Sequence, residues 1–191
     1  MRIFEFEYPE NDKDSIESFI KINCKTWLNA SDGIPMYRGI SDKYPPVAVI
    51  KPHLDRRPLD MDMDKHLAFN AMLEAIDSPI NRSNCLFGCG SRGKAAAYGT
   101  PYRIYPIGHF NYMWTPEYFD LTNFPRMKFK HYKWADNRDA PNDDPAAYDP
   151  EEVLELFRIN RGLVQALENR TSEIGIRCTS ALAIRDGEPR P

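Results

Sequence analysis

The sequence predicts an α+β fold built on a mainly antiparallel sheet. Several strand-like segments follow one another without helices between them, and the helical patterns stand apart in other parts of the chain. Hydrophobic residues make up 42% of the 191 residues and aromatic residues 12%, which is typical of a globular protein with a core. At this length we expect one domain that spans residues 1–191.

The N-terminal part is predicted to hold a helix, a strand and a loop. Apolar residues recur at spacings of three and four between residues 14 and 28, and Asp14 or Ser15 is available as a cap, which indicates a helix. The apolar segment 34–40 (IPMYRGI) predicts a short strand. Residues 41–60 are rich in proline and charge, so they predict a loop.

The middle of the chain is predicted to hold a second helix and a group of strands. The helix covers residues 61–76, with Leu67, Leu73 and Ile76 along one side. A glycine-rich turn at residues 88–94 leads into a short alanine-rich helical segment. Three strands are predicted, at residues 84–87, 102–105 and 109–114.

The clearest helix signal lies in the C-terminal third. Asp149 suits the N-cap and Pro150 suits the first helical position, and the two glutamates that follow suit the positive end of the helix dipole. We expect this helix to run to about Leu167. Two strands are predicted after it, at residues 173–178 and 180–184.

Charge and cysteine content exclude several functional classes. The 25 basic and 28 acidic residues give a net charge of −3, which argues against a strongly basic nucleic-acid-binding protein. The sequence has no apolar run near the roughly 20 residues that a membrane span needs, and its start, MRIFEFEYPE, lacks the apolar core of a secretory signal. The four cysteines form no CxxC pair, so we expect no metal site. These features predict a cytoplasmic protein without a membrane partner.

Three short segments carry residues suited to ligand chemistry. In the first, MYRGI, the Arg38 guanidinium is suited to phosphate or ribose oxygens and Gly39 permits a close backbone approach. In the second, a strand runs into the turn Cys89-Gly90-Ser91, which can form a nest for a polar ligand although it is neither GxxxxGK[ST] nor GxGxxG. Each segment also has an ordinary alternative: a surface arginine on a strand edge, and a tight turn that needs glycine.

The third segment, SEIGI, places Glu173 directly before an apolar strand. A carboxylate presented there can accept a hydrogen bond from a sugar hydroxyl and stabilise a developing positive charge. The alternative is a solvated strand start.

In this order and spacing, the three segments resemble the arginine–serine–glutamate motif of the ADP-ribosyltransferases. The resemblance covers residues 36–184 and includes similarity to small bacteriophage proteins of this kind, through RSNCLFGCGSRGKAAAYGTPYRIYPIG, FNYMWTPEYFDL and EIGI. It implies a split, mainly antiparallel sheet with flanking helices. It also implies NAD as the substrate, a host macromolecule as the acceptor and the host cytoplasm as the location, with Arg38, Ser91 and Glu173 as catalytic residues.

The same resemblance implies further contacts with the dinucleotide. They come from Arg38 and Gly39 on the strand, from the turn residues 89–91, and from Tyr98, which follows the turn and stacks on the nicotinamide. Arg57 or its neighbour Arg56 is expected to hold the diphosphate. Arg82, by contrast, is expected to have a structural role.

Two departures from the motif bear on the function. Cys89 stands where the turn usually begins with serine, so a hydroxyl is lost there, and Ser91 is the available substitute. Thr171 stands two residues before Glu173, where enzymes that modify arginine usually carry glutamate, so arginine is disfavoured as the modified residue.

A non-catalytic interaction protein is the competing hypothesis. The segment 124–134 (FPRMKFKHYKW) interleaves lysines with aromatic residues, a combination that binds single-stranded nucleic acid or a host protein. Its ordinary interpretation is a strand edge on which lysines prevent aggregation.

Overall fold

Six helices and eight strands lie in the part of the chain described by this structure, a computed structural model, namely residues 9, 12–58, 63–116, 148–170 and 172–187. The helices are α1 (Lys13–Asn23), α2 (Lys25–Ser31), α3 (Met63–Glu74), α4 (Arg92–Ala96), α5 (Pro150–Leu156) and α6 (Leu163–Glu168). The strands are β1 (Met36–Ile40), β2 (Val47–Ile50), β3 (Leu86–Gly88), β4 (Thr100–Pro106), β5 (Phe110–Trp114), β6 (Arg158–Ile159), β7 (Ile174–Cys178) and β8 (Ala181–Arg185).

The strands form two four-stranded antiparallel sheets, so the described residues have an α+β fold. One sheet has the order β1-β4-β8-β2 and the other has the order β3-β7-β5-β6. Tyr37 of β1 and Cys89, the residue after β3, exchange two backbone hydrogen bonds of 2.7 and 2.9 Å across the gap between the sheets. We call this pair the seam.

Two apolar cores support the second sheet. The larger core packs side chains from both sheets against α1, α2 and α6, with Trp27 and Trp114 among its largest buried members. The smaller core packs Phe87 of β3 and Met113 of β5 against α3 and α5. Because apolar side chains alternate between the two faces of a strand, the second sheet is covered on both sides.

Several predicted elements differ from the observed ones. The cap of α1 is Asp12, whose carboxylate accepts from the Ser15 amide, rather than Asp14 or Ser15. The first predicted helix is two helices that meet at Cys24, because the chain leaves helical geometry there. Leu67 is 40% exposed, so it does not lie with Leu73 on the buried side of α3.

Two further predictions were wrong about continuity. The proline-rich segment 41–60 is not all loop, because β2 pairs with β8 inside it. The long C-terminal helix ends at Leu156, since Phe157 adopts extended geometry and the chain then pairs β6 with β5 before α6 begins. The basic-aromatic segment 124–134 and most of the predicted loop 136–150 lie outside the described residues.

Within the described ranges, no helix is both long and apolar enough to cross a membrane.

Candidate functional site

Strand register brings the three motif segments together. Gly88 of β3 pairs with Ile174 of β7, so the residue after β3 lies beside the residue before β7. The seam then places β1 on the other side of that same residue, because Tyr37 pairs with Cys89. Segments separated by about 50 and 85 positions in the sequence therefore lie side by side.

A cleft of about 210 Å³ opens at this junction. Its charged wall consists of four cationic side chains and one carboxylate: Arg38, Arg56, Arg82, Lys94 and Glu173. Its remaining wall consists of Tyr37, Gly39, Phe87, Gly88, Cys89, Ala95 and Tyr98. The excess of positive charge, combined with aromatic surface, suits an anionic ligand that also carries a ring.

Arg38 is fixed at the base of the cleft by a hydrogen bond from its Nη1 to the Phe87 carbonyl, 2.5 Å long. This bond joins a side chain of the first sheet to the backbone of the second. Burial and, after it, the positive charge of Arg56 lower the pKa of Arg38 below its ordinary value, while Glu173 acts in the opposite direction. An arginine still carries its charge at neutral pH, so Arg38 presents a desolvated cation.

Arg56 and Arg82 both lie over the ring of Phe87. The guanidinium carbon of Arg56 is 5.3 Å from the ring centroid and that of Arg82 is 4.8 Å from it. The buried Nη1 of Arg56 has no hydrogen-bond partner among the described residues. A buried guanidinium nitrogen without a partner is costly, and an anion bound in the cleft would satisfy it.

Glu173 directly precedes β7, and its side chain is 23% exposed. Its Oε2 lies 3.9 Å from Nη1 of Arg82, which makes an ion pair, and it shares the cleft with Arg38. The structure thus brings Arg38 and Glu173, the arginine and the glutamate of the predicted motif, to one cleft.

The turn after β3 contributes less to the cleft than its glycine content indicates. The Ser91 hydroxyl caps α4 by accepting from the Lys94 amide at 3.2 Å, and Ser91 is not among the lining residues. Gly90 also lies outside the lining, and a Cβ there would come within 1.8 Å of the Leu167 carbonyl oxygen. Glycine is needed at this position for packing against α6.

Cys89 does line the cleft, but its thiol is buried and donates to the Ser91 carbonyl at 3.3 Å. Burial raises the pKa of this thiol, and the Ser91 hydrogen bond and Lys94 offset part of that effect. The thiol is therefore protonated at neutral pH and is a weak nucleophile.

The other predicted contacts divide into two groups. Gly39 and Tyr98 line the cleft, and Tyr98 is 65% exposed, so its ring is accessible to a ligand. Arg57 is exposed and is not among the lining residues, whereas its neighbour Arg56 is. Thr171 lies outside the described residues.

Two cations of the cleft were not expected as site residues. Arg82 is buried, and Lys94 belongs to the first turn of α4, where the Ser91 cap holds its amide. The segment NRSN around Arg82 has the composition of a turn, and that composition does not predict whether the arginine side chain faces solvent or the interior. No local signal distinguishes it from a surface arginine.

The described residues contain no group of three or more His, Cys, Asp or Glu side chains placed to hold a metal ion. No family model, curated protein or solved structure matches this chain.

Proposed function

We propose that this protein transfers ADP-ribose from NAD to a macromolecule. The observation that carries the proposal is the meeting of Arg38 and Glu173 in one cleft through the pairing of β1, β3 and β7. The two antiparallel sheets joined at the seam are compatible with the split sheet of the ADP-ribosyltransferases, which the sequence motif resembles.

In this reaction the bond between ribose C1 and the nicotinamide nitrogen breaks, and its electron pair leaves with the nicotinamide, which becomes neutral. The ribose carbon is left with positive charge that it shares with the ring oxygen. Glu173 accepts a hydrogen bond from the ribose 2′-hydroxyl and stabilises that charge. A nucleophile of the acceptor then bonds to C1 and gives up its proton.

The cationic wall serves the diphosphate of the same substrate. Arg38 and Arg56 supply guanidinium groups that bind phosphate oxygens in pairs, and the unpartnered Nη1 of Arg56 gains a hydrogen bond on binding. Roughly 300–1,000 Å³ is usual for a ligand pocket. The cleft is smaller, at about 210 Å³, so it encloses the nicotinamide end while the adenosine extends from it.

The acceptor that we propose is a host protein or nucleic acid, in keeping with the similarity to bacteriophage proteins. Tyr98 lines the cleft and is 65% exposed, so it offers an acceptor an accessible aromatic surface. This part of the proposal rests on the resemblance and on that single exposed ring.

A second candidate is a protein that binds the dinucleotide or a related anion without cleaving it. The observation in its favour is that the Ser91 hydroxyl caps α4. The Cys89 thiol donates to the Ser91 carbonyl, and burial raises its pKa. Neither residue therefore replaces the serine that usually begins this turn of the motif.

One experiment separates the two candidates. Purified protein is incubated with NAD labelled in the adenylate, with and without host lysate, and released nicotinamide and labelled macromolecules are measured. We expect Glu173→Gln to lower turnover by about a hundredfold while affinity for ADP-ribose stays nearly constant. Arg38→Ala is expected to weaken that affinity by about 1.5–3 kcal/mol.

Glu168→Gln is the matched control, since Glu168 is an exposed carboxylate of α6 outside the cleft lining. ADP-ribose binding without any nicotinamide release would support the second candidate. Absence of both binding and release would contradict both candidates.

A further inference from the structure

We propose that Arg82 is the positioning residue for Glu173: its ion pair with the carboxylate orients a side chain that lines the cleft. This inference rests on the proposed function for its catalytic consequence, because Glu173 is the catalytic carboxylate of that reaction. The arginine of the resembled motif corresponds to Arg38, so the role of Arg82 is inferred from its contacts in this cleft.

Arg82 is held rigidly on its own side of the cleft. Only 7% of the residue is exposed, and its guanidinium carbon lies over two rings, 4.8 Å from the centroid of Phe87 and 5.6 Å from that of Phe69. Aromatic faces on two elements restrict a planar guanidinium to few orientations. The guanidinium of Arg82 is therefore held in one position and orientation.

The backbone around Arg82 is fixed as well. The Asn81 side chain accepts from the amides of Ser83 and Asn84 at 2.9 and 3.1 Å, which closes a tight turn around Arg82. The Arg82 amide itself donates to the Asn70 side chain of α3 at 3.0 Å. The turn and α3 together aim the side chain at the start of β7.

The rigid Arg82 side chain makes an ion pair with Glu173. At 3.9 Å between Nη1 and Oε2 the pair is an ion pair rather than a hydrogen bond. Because the carboxylate is only partly exposed, the attraction is screened less than on an open surface. Arg82 thus limits rotation of a group that must meet the ribose 2′-hydroxyl in one orientation.

Arg56 provides the matched control. It lines the same cleft, carries the same charge and lies over the same Phe87 ring as Arg82, but the ion pair with Glu173 belongs to Arg82. Arg38 and Lys94 also contribute positive charge to the cleft, and both are left unchanged in the variants of this test.

The first part of the test needs no dinucleotide. The protein is labelled with 13C at the glutamate carboxyl carbons, and the Glu173 signal is identified by its loss in Glu173→Gln. We expect Arg82→Gln to raise the pH midpoint of that signal by about one unit, because an opposite charge has been removed. Arg56→Gln is expected to move it by clearly less. Equal shifts in the two variants, or none in Arg82→Gln, would overturn the proposal.

Arg82→Lys keeps the readout usable if Arg82→Gln fails to fold. A lysine retains the charge but not the planar stacking on the two rings. We expect the pH midpoint of Glu173 in this variant to stay near that of wild type, because the charge is retained, and kcat for NAD cleavage to fall, because the fixed orientation is lost. An unchanged kcat would show that a point charge suffices and would overturn the positioning role.

The second part measures NAD cleavage. In the wild-type background Arg82→Gln is expected to lower kcat by about tenfold with KM within about twofold, and in the Glu173→Gln background to lower it no further. An equal loss in both backgrounds would indicate a merely structural role and would contradict the proposal. A wild-type protein that cleaves no NAD defeats the proposed function, and the carboxyl titration still decides whether Arg82 holds Glu173.

Discussion

The two turns that flank β3 have opposite roles. The turn before the strand, Asn81–Asn84, uses asparagine side chains to fix its own backbone and sends Arg82 into the cleft. The turn after the strand uses its small residues for the scaffold: Gly90 packs against α6 and the Ser91 hydroxyl caps α4.

This contrast shows that glycine content alone is a poor guide to a ligand site. A glycine-rich turn between a strand and a helix is needed wherever two backbones approach closely, and here the close approach is to Leu167 rather than to a ligand. The asparagine-rich turn looks unremarkable in the sequence, yet it delivers a buried cation. The following variants test this division of roles.

The largest expected effect is the loss of the close packing at Gly90. In Gly90→Ala the new Cβ would lie 1.8 Å from the Leu167 carbonyl oxygen and 2.7 Å from its carbonyl carbon. Neither backbone atom can move aside, so we expect the free energy of unfolding to fall by about 3 kcal/mol or more, measured by denaturant unfolding.

Gly93→Ala is the control for this variant. Gly93 lies inside α4, and the nearest atom to an added Cβ is the Ser91 Oγ at 3.8 Å. Alanine should stabilise this helix by about 0.5–1 kcal/mol. Equal stability of the two variants would show that the turn does not depend on its contact with α6.

A smaller effect is expected at Ser91. Ser91→Ala removes the N-cap of α4 and should lower the free energy of unfolding by about 1 kcal/mol. Because the hydroxyl is engaged with the Lys94 amide, NAD cleavage per folded molecule should stay unchanged. Ser91→Asn, which retains a capping oxygen, should restore stability. A drop in cleavage of more than about tenfold in a fully folded Ser91→Ala would place the hydroxyl in the reaction instead.

The smallest effect concerns the other turn and depends on pH. The Asn70 side-chain amide donates to the Ser83 hydroxyl at 2.9 Å, and the same hydroxyl shares a hydrogen bond of 2.9 Å with Nε2 of His66. Burial and, after it, the charges of Arg82 and Arg56 lower the pKa of His66 below its ordinary value. The folded protein therefore favours the neutral form of this histidine.

The sign of the pH dependence follows from that lowered pKa. As the pH falls below roughly 6.5, the unfolded chain takes up the His66 proton before the folded chain does, so stability is lost on acidification. We expect the free energy of unfolding to fall more steeply between about pH 7.5 and pH 5.5 in wild type than in His66→Gln. Identical slopes would show that His66 is not held neutral by the turn.

The sequence was sufficient for those parts of the fold where periodicity and capping act locally. The strands around Arg38 and Ile174 follow from short apolar runs, and the start of the helix at Asp149 follows from a cap with proline after it. Arg38 and Glu173 were proposed from a motif in which order and spacing matter, and strand register is what makes such spacing meaningful.

The remaining features depend on long-range contacts that no local pattern contains. β2 forms between prolines because β8 offers it a partner, and the helix ends at Phe157 because the next residues pair with β5. Arg82 points inward because Phe69 and Phe87, from separate elements, enclose its guanidinium. Each of these outcomes depends on which distant segment packs nearby.

The seam between Tyr37 and Cys89 also provides a way to measure separation of the two sheets from each other. Their amides are hydrogen-bonded to each other's residue rather than within either ladder, and Arg38 crosses the same gap to reach the Phe87 carbonyl. Exchange of these two amide protons with solvent deuterium therefore reports separation of the two sheets at the seam. Amides inside a ladder report unfolding of that sheet instead. A ligand that contacts both Arg38 of the first sheet and Glu173 beside the second would hold the two sheets together at the seam. Its binding would then slow the exchange of the Tyr37 and Cys89 amide protons.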